Sequence, residues 1–166
     1  MSISATVPDW SREEKSWFSW DPSRSLIASL RRYQLLSGSR NPLNICRRKF
    51  AVVHHRFWSV VTGADVPLNC QIGGGLLMPH PNGIVIHPEA RIGPNCLLFQ
   101  QVTIGYRKGG VPTIGGHVDI GAGAKILGSI VIGDHAVIGA NAVVLRDVPF
   151  GCTAIGIPAH IQKHAR

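Results

Sequence analysis

The hydrophobic pattern of this 166-residue chain changes near residue 63. Before that point, apolar residues recur at intervals of three and four, the spacing that places them on one face of an α-helix. From Val66 onward, an aliphatic residue recurs every six positions instead. The change predicts a helical segment over residues 1–62, a second domain over residues 63–161 and a short tail over residues 162–166.

Capping signals predict helices in the first segment. The run Ser-Arg-Glu-Glu at residues 11–14 fits a capping box, and Ser25 is placed to cap a second helix. Asn41 and Pro42 form a favourable N-cap and first-turn pair for a third helix, which should end at Gly63. The apolar residues of this third helix fill one face, and its basic side is expected to be exposed. That apolar face comprises Leu43, Cys46, Phe50, Val53, Phe57, Val60 and Val61.

The six-residue repeat is typical of a parallel β-helix, in which each hexad forms one strand and one turn and three hexads complete a coil. A second apolar residue, usually small, follows most leading aliphatics by four positions, as a narrow interior requires. This core explains why the chain has 19 glycines but only 7% aromatic residues. The leading positions are Val66, Ile72, Met78, Ile86, Ile92, Leu98, Ile104, Ile114, Ile120, Ile126, Ile132, Ile138 and Val144.

Two residue types in the repeat have predicted structural roles. Seven of the thirteen leading aliphatics are followed by glycine, and we expect these glycines to allow positive φ at sharp corners. Cys70 and Cys96 occupy the second, small inward position and are predicted to be buried packing residues. The four cysteines form no CxxC pair, so neither a zinc ribbon nor a redox pair is indicated.

The repeat is interrupted twice, between residues 78 and 86 and between residues 104 and 114. Because the regular faces of a β-helix offer little chemistry, we expect functional residues to gather at these departures. The first contains His80 between two prolines. The second, at residues 106–113, is rich in glycine and carries two basic residues.

The second domain resembles the hexapeptide-repeat acyltransferases, and within them it is most similar to the serine acetyltransferase family. The resemblance covers about residues 63–161. The motifs that carry it are Ile72-Gly73-Gly74-Gly75, His80, Gly83-Ile84-Val85, Gln100-Gln101-Val102-Thr103-Ile104-Gly105, Ile120-Gly121-Ala122-Gly123-Ala124-Lys125-Ile126-Leu127-Gly128, Ala140-Asn141-Ala142-Val143-Val144-Leu145 and Gly156-Ile157-Pro158-Ala159.

The resemblance implies a left-handed parallel β-helix with a short helical N-terminal segment, assembled as a homotrimer with active sites between adjacent subunits. It also implies transfer of acetyl from acetyl-CoA to a hydroxyl, with L-serine converted to O-acetylserine for cysteine biosynthesis. His80 matches the catalytic base of the family and Asp65 matches the carboxylate that orients it. Such a pair serves this chemistry because an alcohol attacks a thioester only as a base removes its proton.

The resemblance also assigns the acetyl-CoA groove. Ala122 and Ala140 match its small contact positions, and their separation of eighteen residues predicts that they stack on neighbouring coils. Gly105 and Tyr106 match the start of the flanking loop, where a backbone N–H can stabilise the tetrahedral oxyanion.

The residues expected to bind the acceptor depart from the family pattern. Pro79 stands where the family has an acidic residue before the catalytic histidine, and the loop at residues 106–113 lacks the Arg-His pair that helps to hold serine. The helical segment is also much shorter. O-acetylation of a sugar or an exopolysaccharide precursor, by the same mechanism, therefore remains an alternative to serine.

The net charge of +8 suggests a different class of function. Residues 1–61 carry ten lysines and arginines against four acids, whereas the remainder is nearly neutral. A non-enzymatic binding module, which touches nucleic acid or an anionic membrane surface through this segment, is thus a competing interpretation. A solvated helix face is the preferred interpretation of the basic residues, with no nucleic-acid partner and no integral membrane association.

Two further expectations concern metals and location. His117 and His135 are eighteen residues apart and should stack on one outer face, but no third histidine joins them, so no metal is expected. No apolar run is long enough for a transmembrane helix, and the first ten residues do not fit a secretory signal. The sequence therefore predicts a cytoplasmic protein.

Overall fold

Residues 3–16 and 19–163 are described by the computed structural model, which consists of two helices followed by a parallel β-solenoid. The helices are α1 (Pro22–Leu36) and α2 (Pro42–Thr62), preceded by a short 3-10 helix (Trp10–Glu13). The strands are β1 (Gln71–Ile72), β2 (Val85–Ile86), β3 (Arg91–Ile92), β4 (Leu97–Leu98), β5 (Thr103–Gly105), β6 (Thr113–Ile114), β7 (Asp119–Ile120), β8 (Lys125–Leu127), β9 (Val131–Ile132), β10 (Val137–Ile138), β11 (Val143–Val144), β12 (Cys152–Ile155) and β13 (His160–Lys163).

Three sheets form the faces of the β-helix. Their strand orders are β1-β3-β6-β9, β4-β7-β10-β12-β13 and β2-β5-β8-β11. All pairings are parallel among the named strands except that of β12 with β13, which is antiparallel. The predicted parallel β-helix is confirmed, and the left-handed sense of its winding stays a prediction from the resemblance.

The core follows the six-residue repeat. All thirteen leading aliphatics are buried, and so are the small residues at the second inward position. Ile86, Ile104, Ile126 and Val144 lie in register along one sheet, although the second interval is 22 residues and the others are 18. The insertions therefore leave the core in register and enlarge only the loops between strands.

The predicted packing role of Cys70 and Cys96 is confirmed, because both side chains lie in this core. Burial raises the pKa of each thiol to about 11. Both residues therefore remain neutral thiols at physiological pH.

The glycines that follow the leading aliphatics have a different role from the expected one. None of the seven has positive φ. Six of the seven, all except Gly105, are instead too close to the next coil for a side chain: a Cβ on Gly93 would lie 2.5 Å from the carbonyl carbon of Gly115. The prediction of positive φ at these positions was wrong, because the constraint is the close approach of neighbouring coils.

The helical segment confirms part of the predicted capping. Asn41 caps α2 by accepting from Leu43 N at 2.9 Å, and Gly63 ends the helix with a φ of 66°. Asp21, not Ser25, caps α1. The predicted capping box at residues 11–14 was also wrong, because these residues belong to a 3-10 helix that Asp9 caps and that Glu13 anchors to the body of the protein.

The apolar face of α2 points away from the core, and the basic residues beside it are largely exposed, as predicted. Leu43, Phe50, Val53, Phe57 and Val60 are each more than half exposed. The buried residues of α2 are Ala51, His55 and Thr62 instead. The side of α2 that packs inward therefore consists of one small residue and two hydrogen-bonding side chains. The wider apolar face is exposed to solvent.

His55 is buried because both ring nitrogens have partners. Its Nδ1 lies 2.9 Å from Ser29 Oγ on α1, and its Nε2 lies 2.8 Å from the carbonyl oxygen of Val66 at the start of the β-helix. Burial lowers the pKa of His55 below its ordinary value of 6.5, against the raising effect of these backbone contacts. The neutral ring thus joins both helices to the first coil.

The segment before α1 lies along the β-helix. The side-chain amide of Asn95 donates to the carbonyl oxygens of Ser4 and Val7 and accepts from Asp9 N. Arg12 donates to the Asn95 carbonyl oxygen at 2.6 Å. The four contacts fix this segment to the turn of the β-helix that contains Asn95. Among the described residues, no helix is long and apolar enough to cross a membrane.

Candidate active site at one edge of the β-helix

His80 lies in a proline-flanked loop at residues 79–82, which the first interruption of the repeat adds to the β-helix. Pro79 and Pro81 restrict the backbone on both sides of the histidine. Just before the loop, Ser23 of α1 donates to the Met78 carbonyl oxygen at 2.6 Å. The local sequence and this bond place the imidazole between the loop and the helices.

The imidazole of His80 is exposed to a cleft of about 540 Å³. This volume lies in the range of small-molecule sites. Trp20, Asp21, Pro22, Ser23, Val61, Thr62, Pro79, Pro81 and Asn82 complete the lining. The cleft is therefore wide enough for a small acceptor beside the histidine.

His80 and both predicted groove alanines share one edge of the β-helix. We call it the His80 edge, and it comprises residues 79–83, 99–101, 121–123 and 139–141. Backbone bonds join its successive loops: Gln101 N, Gly123 N and Asn141 N donate to the carbonyl oxygens of Asn82, Gln100 and Ala122 at 2.9, 2.8 and 2.8 Å. A continuous track thus runs from His80 past Ala122 to Ala140, and the last bond shows that the two alanines lie on neighbouring coils, as predicted.

Asp65 lies on the coil before His80 but does not contact it. Its backbone pairs with that of Val85. Asp65 N donates to the Ile84 carbonyl oxygen at 2.8 Å, and Ile86 N donates to the Asp65 carbonyl oxygen at 3.0 Å. Within residues 3–16 and 19–163, neither the Asp65 carboxylate nor the His80 imidazole makes a hydrogen bond or ion pair.

Gly105 and Tyr106 lie on the next edge, at the far end of β5. We call this the Tyr106 edge, comprising residues 87–90, 105–112, 127–130 and 145–147. Tyr106 is exposed, and its hydroxyl accepts from Gly109 N at 3.2 Å, which closes the loop that presents Arg107 and Lys108 to solvent. The face formed by β2, β5, β8 and β11 separates this edge from the His80 edge.

Three further residues lie near these edges: Lys125 and Gln100, which the sequence interpretation did not use, and His87, which it expects to be a turn residue or to line the acceptor pocket. Lys125 donates to the Gln101 carbonyl oxygen at 2.6 Å and to Thr103 Oγ1 at 3.0 Å, which places its charge beside the His80 edge. The side-chain oxygen of Gln100 is buried there without a hydrogen-bond partner. The ring of His87 lies 6.3 Å from that of Tyr106 on the other edge. Lys125 and Gln100 stand inside family motifs, whereas only the pairing of β2 with β5 brings His87 to Tyr106.

His117 and His135 stack as predicted, with their Nδ1 atoms 2.8 Å apart. They lie on the third edge, away from His80. Among the described residues, no group of three or more histidines, cysteines or acids is arranged to hold a metal ion.

Comparison with known proteins agrees with the six-residue repeat. Residues 112–146 match the family model described as bacterial transferase hexapeptide (six repeats). The β-helix of this chain is similar to that of serine acetyltransferases: it is 42% identical over 106 residues to the enzyme of Synechococcus elongatus, which is 61% of this chain and 43% of that one. The enzyme of Helicobacter pylori strain J99 is 43% identical over 103 residues, 60% of each chain.

Solved structures extend the similarity of this chain beyond the repeat and into its helices. A serine acetyltransferase in complex with CoA has a TM-score of 0.71 at 35% identity, covering 86% of this chain and 58% of that one. The Neisseria gonorrhoeae enzyme in complex with serine has a TM-score of 0.70 at 35% identity, covering 85% and 57%. The chain spans about half the length of the curated relatives it matches.

Proposed function

We propose that this protein is an O-acetyltransferase that moves acetyl from acetyl-CoA to the hydroxyl of a small acceptor, with L-serine as the first candidate. The observation that carries the proposal is the continuous His80 edge. It joins a histidine in an acceptor-sized cleft to a track of small residues, on a β-helix similar to serine acetyltransferases. We place the reaction in the cytoplasm, where the four free cysteines would stay reduced.

His80 is proposed to act first as base and then as acid. Its imidazole takes the proton of the acceptor hydroxyl as the oxygen attacks the thioester carbonyl, forming a tetrahedral intermediate. Collapse of the intermediate breaks the carbon–sulfur bond, and the imidazolium returns the proton to the leaving CoA thiolate. The acceptor leaves as its acetyl ester. Asp65 is proposed to orient the ring and to stabilise its charged form.

The acetyl-CoA is proposed to lie along the His80 edge. Ala122 is half-buried and Ala140 is exposed, so their methyl groups leave a shallow channel for the pantetheine arm. Lys125, beside this edge, adds a positive charge toward an anionic cosubstrate. A backbone N–H at Gly105 or Tyr106 is proposed to stabilise the oxyanion.

We propose that the protein is a homotrimer and that each site uses two copies. Within one chain, a full sheet face separates the His80 edge from the Tyr106 edge. A neighbouring copy can bring its Tyr106 edge against the His80 edge, which assembles base, groove and oxyanion donor in one place. The basic residues Arg107 and Lys108 then approach the ligand from the neighbour.

A sugar hydroxyl is the second candidate acceptor, and the lining of the cleft favours it. L-Serine carries a carboxylate and an ammonium group, each of which needs a partner when it leaves water. His80 is the only basic side chain among the described lining residues. The carboxylate of Asp21 already accepts from Arg24 N at 3.0 Å as the cap of α1. A neutral polyol would need fewer charged partners here.

The test is a thiol-release assay with acetyl-CoA and a panel containing L-serine, sugars and nucleotide sugars. Saturable CoA release with one hydroxyl compound, and identification of its acetyl ester by mass spectrometry, is the expected result. Turnover with serine at sub-millimolar concentration would exclude the sugar as principal acceptor. Absence of CoA binding by calorimetry, together with no acetyl ester from any member, would refute the acetyltransferase proposal.

A further inference from the structure

One surface of the helical segment is apolar, exposed and separate from the proposed active site. We call it the α2 stripe, and it comprises Leu43, Cys46, Phe50, Val53, Phe57 and Val60. The intervals between its members are three and four residues, so the side chains form one line along the helix. Isolated apolar residues on a surface are ordinary, but a contiguous row of this length marks an interaction site.

The stripe widens at its N-terminal end into a groove between the two helices. The groove has a volume of about 550 Å³, and Leu35 and Leu36 of α1 line it together with Leu43, Cys46 and Phe50 of the stripe. Leu35 is 85% exposed. At the other end, the exposed ring of Trp20 packs against Trp58, 5.5 Å between centroids. The apolar surface thus extends over both helices and is wider than the row of apolar residues on α2 alone.

Positive charge surrounds this surface. No acidic residue occurs between residues 22 and 64. Within the described part of the chain, Arg32, Arg40, Arg47, Arg48, Lys49 and Arg56 form no salt bridge. Arg32 and Arg47 also line the groove. An occupant of this surface must therefore bury apolar area and supply negative charge.

These charges disfavour a second copy as the occupant. Arg47, Lys49 and Arg56 flank the stripe at the positions that meet across a helix pair. Pairing two copies through the stripe would bring cations against cations, with no acid on either helix to neutralise them. Repulsion of this kind opposes association.

We propose that the α2 stripe docks the protein on an anionic phospholipid surface. A helix with a basic polar side and an apolar side that includes Phe and Leu lies in the plane of the bilayer interface. Its apolar residues enter the headgroup and acyl boundary, and the flanking arginines and lysines contact lipid phosphates. The groove beside Leu35 and Phe50 provides space for part of an acyl chain. This attachment is peripheral, and it does not depend on the proposed catalytic activity.

The experiment is co-sedimentation of the intact protein with sucrose-loaded vesicles of phosphatidylcholine alone or of phosphatidylcholine with 30% phosphatidylglycerol. We expect binding to the anionic vesicles at least about tenfold tighter than to the neutral ones, and a strong decrease in binding between low and high salt. The double variant Phe50→Ser/Phe57→Ser should lose at least about tenfold in binding, since affinity scales with buried apolar area.

Phe150→Ser is the matched control, because Phe150 is also exposed, at 70%, but lies on the β-helix beside His135. It should bind vesicles like the unsubstituted protein. Circular dichroism checks that each variant is folded. Equal binding by the double variant, or no preference for anionic vesicles, would overturn the proposal. A fall in the mass measured by sedimentation velocity on the double substitution, without vesicle binding by either protein, would show that a second copy covers the stripe instead.

Discussion

Arg31 of α1 and Glu13 of the 3-10 helix form a two-pronged ion pair, with Nε–Oε2 and Nη2–Oε1 distances of 3.0 and 2.8 Å. Arg31 also donates to the carbonyl oxygens of Ile72 and Gly73, at 2.7 and 2.6 Å, and Glu13 accepts from Leu76 N at 2.9 Å. The pair therefore links the N-terminal segment, α1 and the first coil of the β-helix.

Replacing Arg31 with methionine should destabilise the protein by about 3 kcal/mol, because it leaves a mostly buried carboxylate without its partner. Chemical denaturation measures the loss, and limited proteolysis should cut the released segment around residues 3–14 first. Arg24→Met is the control, since the Arg24–Asp21 pair is 3.6 Å apart and partly exposed. It should cost less than about 1 kcal/mol. Equal losses in both variants would contradict a special role for the Arg31–Glu13 pair.

His80→Ala should lower kcat of acetyl transfer by about 10²- to 10⁴-fold, the range expected for loss of a general base. The thiol-release assay measures it, and the circular dichroism spectrum should be unchanged because the side chain is exposed. His135→Asn removes an imidazole from a different edge, and asparagine tolerates the left-handed backbone, where φ is 59°. This control should retain full activity. An unchanged rate in His80→Ala would refute the proposed mechanism.

Ala140→Trp should obstruct the channel on the His80 edge. Because a bulky ring there competes with the pantetheine arm, KM for acetyl-CoA should rise about tenfold or more, which corresponds to about 1.4 kcal/mol. KM for the acceptor should change little. Ala28→Trp, at an exposed position of α1, provides the comparison. A similar KM for acetyl-CoA in both variants would place the cosubstrate elsewhere.

Two inactive variants should restore activity when mixed, if each site uses two copies. His80→Ala damages one edge and Gly105→Trp the other, so co-expressed copies should form some sites with both edges intact. In a random trimer about a quarter of the sites would be intact. Partial recovery in co-purified mixed trimers supports the shared site. A mixture as inactive as its parents, in particles that sedimentation confirms to be mixed trimers, would contradict it.

Stability should fall as the pH drops below about 6.5, because burial lowers the pKa of His55 and keeps the ring neutral in the folded protein. The unfolded chain takes up its proton first, so acidification favours unfolding until the pH falls below the native pKa. The loss of one bound proton limits the slope from this group to at most about 1.4 kcal/mol per pH unit. Urea denaturation between pH 8 and pH 5 measures it.

His55→Gln should be less stable at every pH but should show a flatter dependence on pH over that interval. The variant keeps a polar side chain between Ser29 and Val66 and removes the titration. If its slope equals that of the unsubstituted protein, another group controls the acid response.

The sequence predicted the β-helix well, because a stacked core imposes one requirement on every coil. Each leading inward position from Val66 to Val144 packs on its equivalent in a neighbouring coil. The same requirement for an aliphatic residue therefore recurs at thirteen positions, which makes the repeat easy to recognise. The helices obey no such repetition. The pattern along α2 showed an apolar face correctly, but it carried no information about which face meets the β-helix, and His55 was therefore missed.

The site was predictable only in part, because some of its residues lie in inserted loops that the repeat does not describe. Motif positions identified His80, Ala122 and Ala140, and the coil spacing showed that the alanines stack. Whether His80 contacts Asp65 depends on the path of an inserted loop, which has no repeat. The neighbourhood of His87 and Tyr106 depends on the pairing of β2 with β5 and on the directions of two loop side chains, which the repeat does not specify.

The register along β2, β5, β8 and β11 is constant although the loops between these strands differ in length. The stacked core that stabilises the fold is therefore independent of the loops that would determine substrate specificity. Ile104 stays opposite Ile126 although the coil between them is four residues longer than the coil that follows. A loop at an edge can therefore grow, shrink or change composition without disturbing the stacked interior. Substrate preference in such a scaffold can be altered by editing loop length alone, and engineering of this protein should begin with residues 79–82 and 106–113.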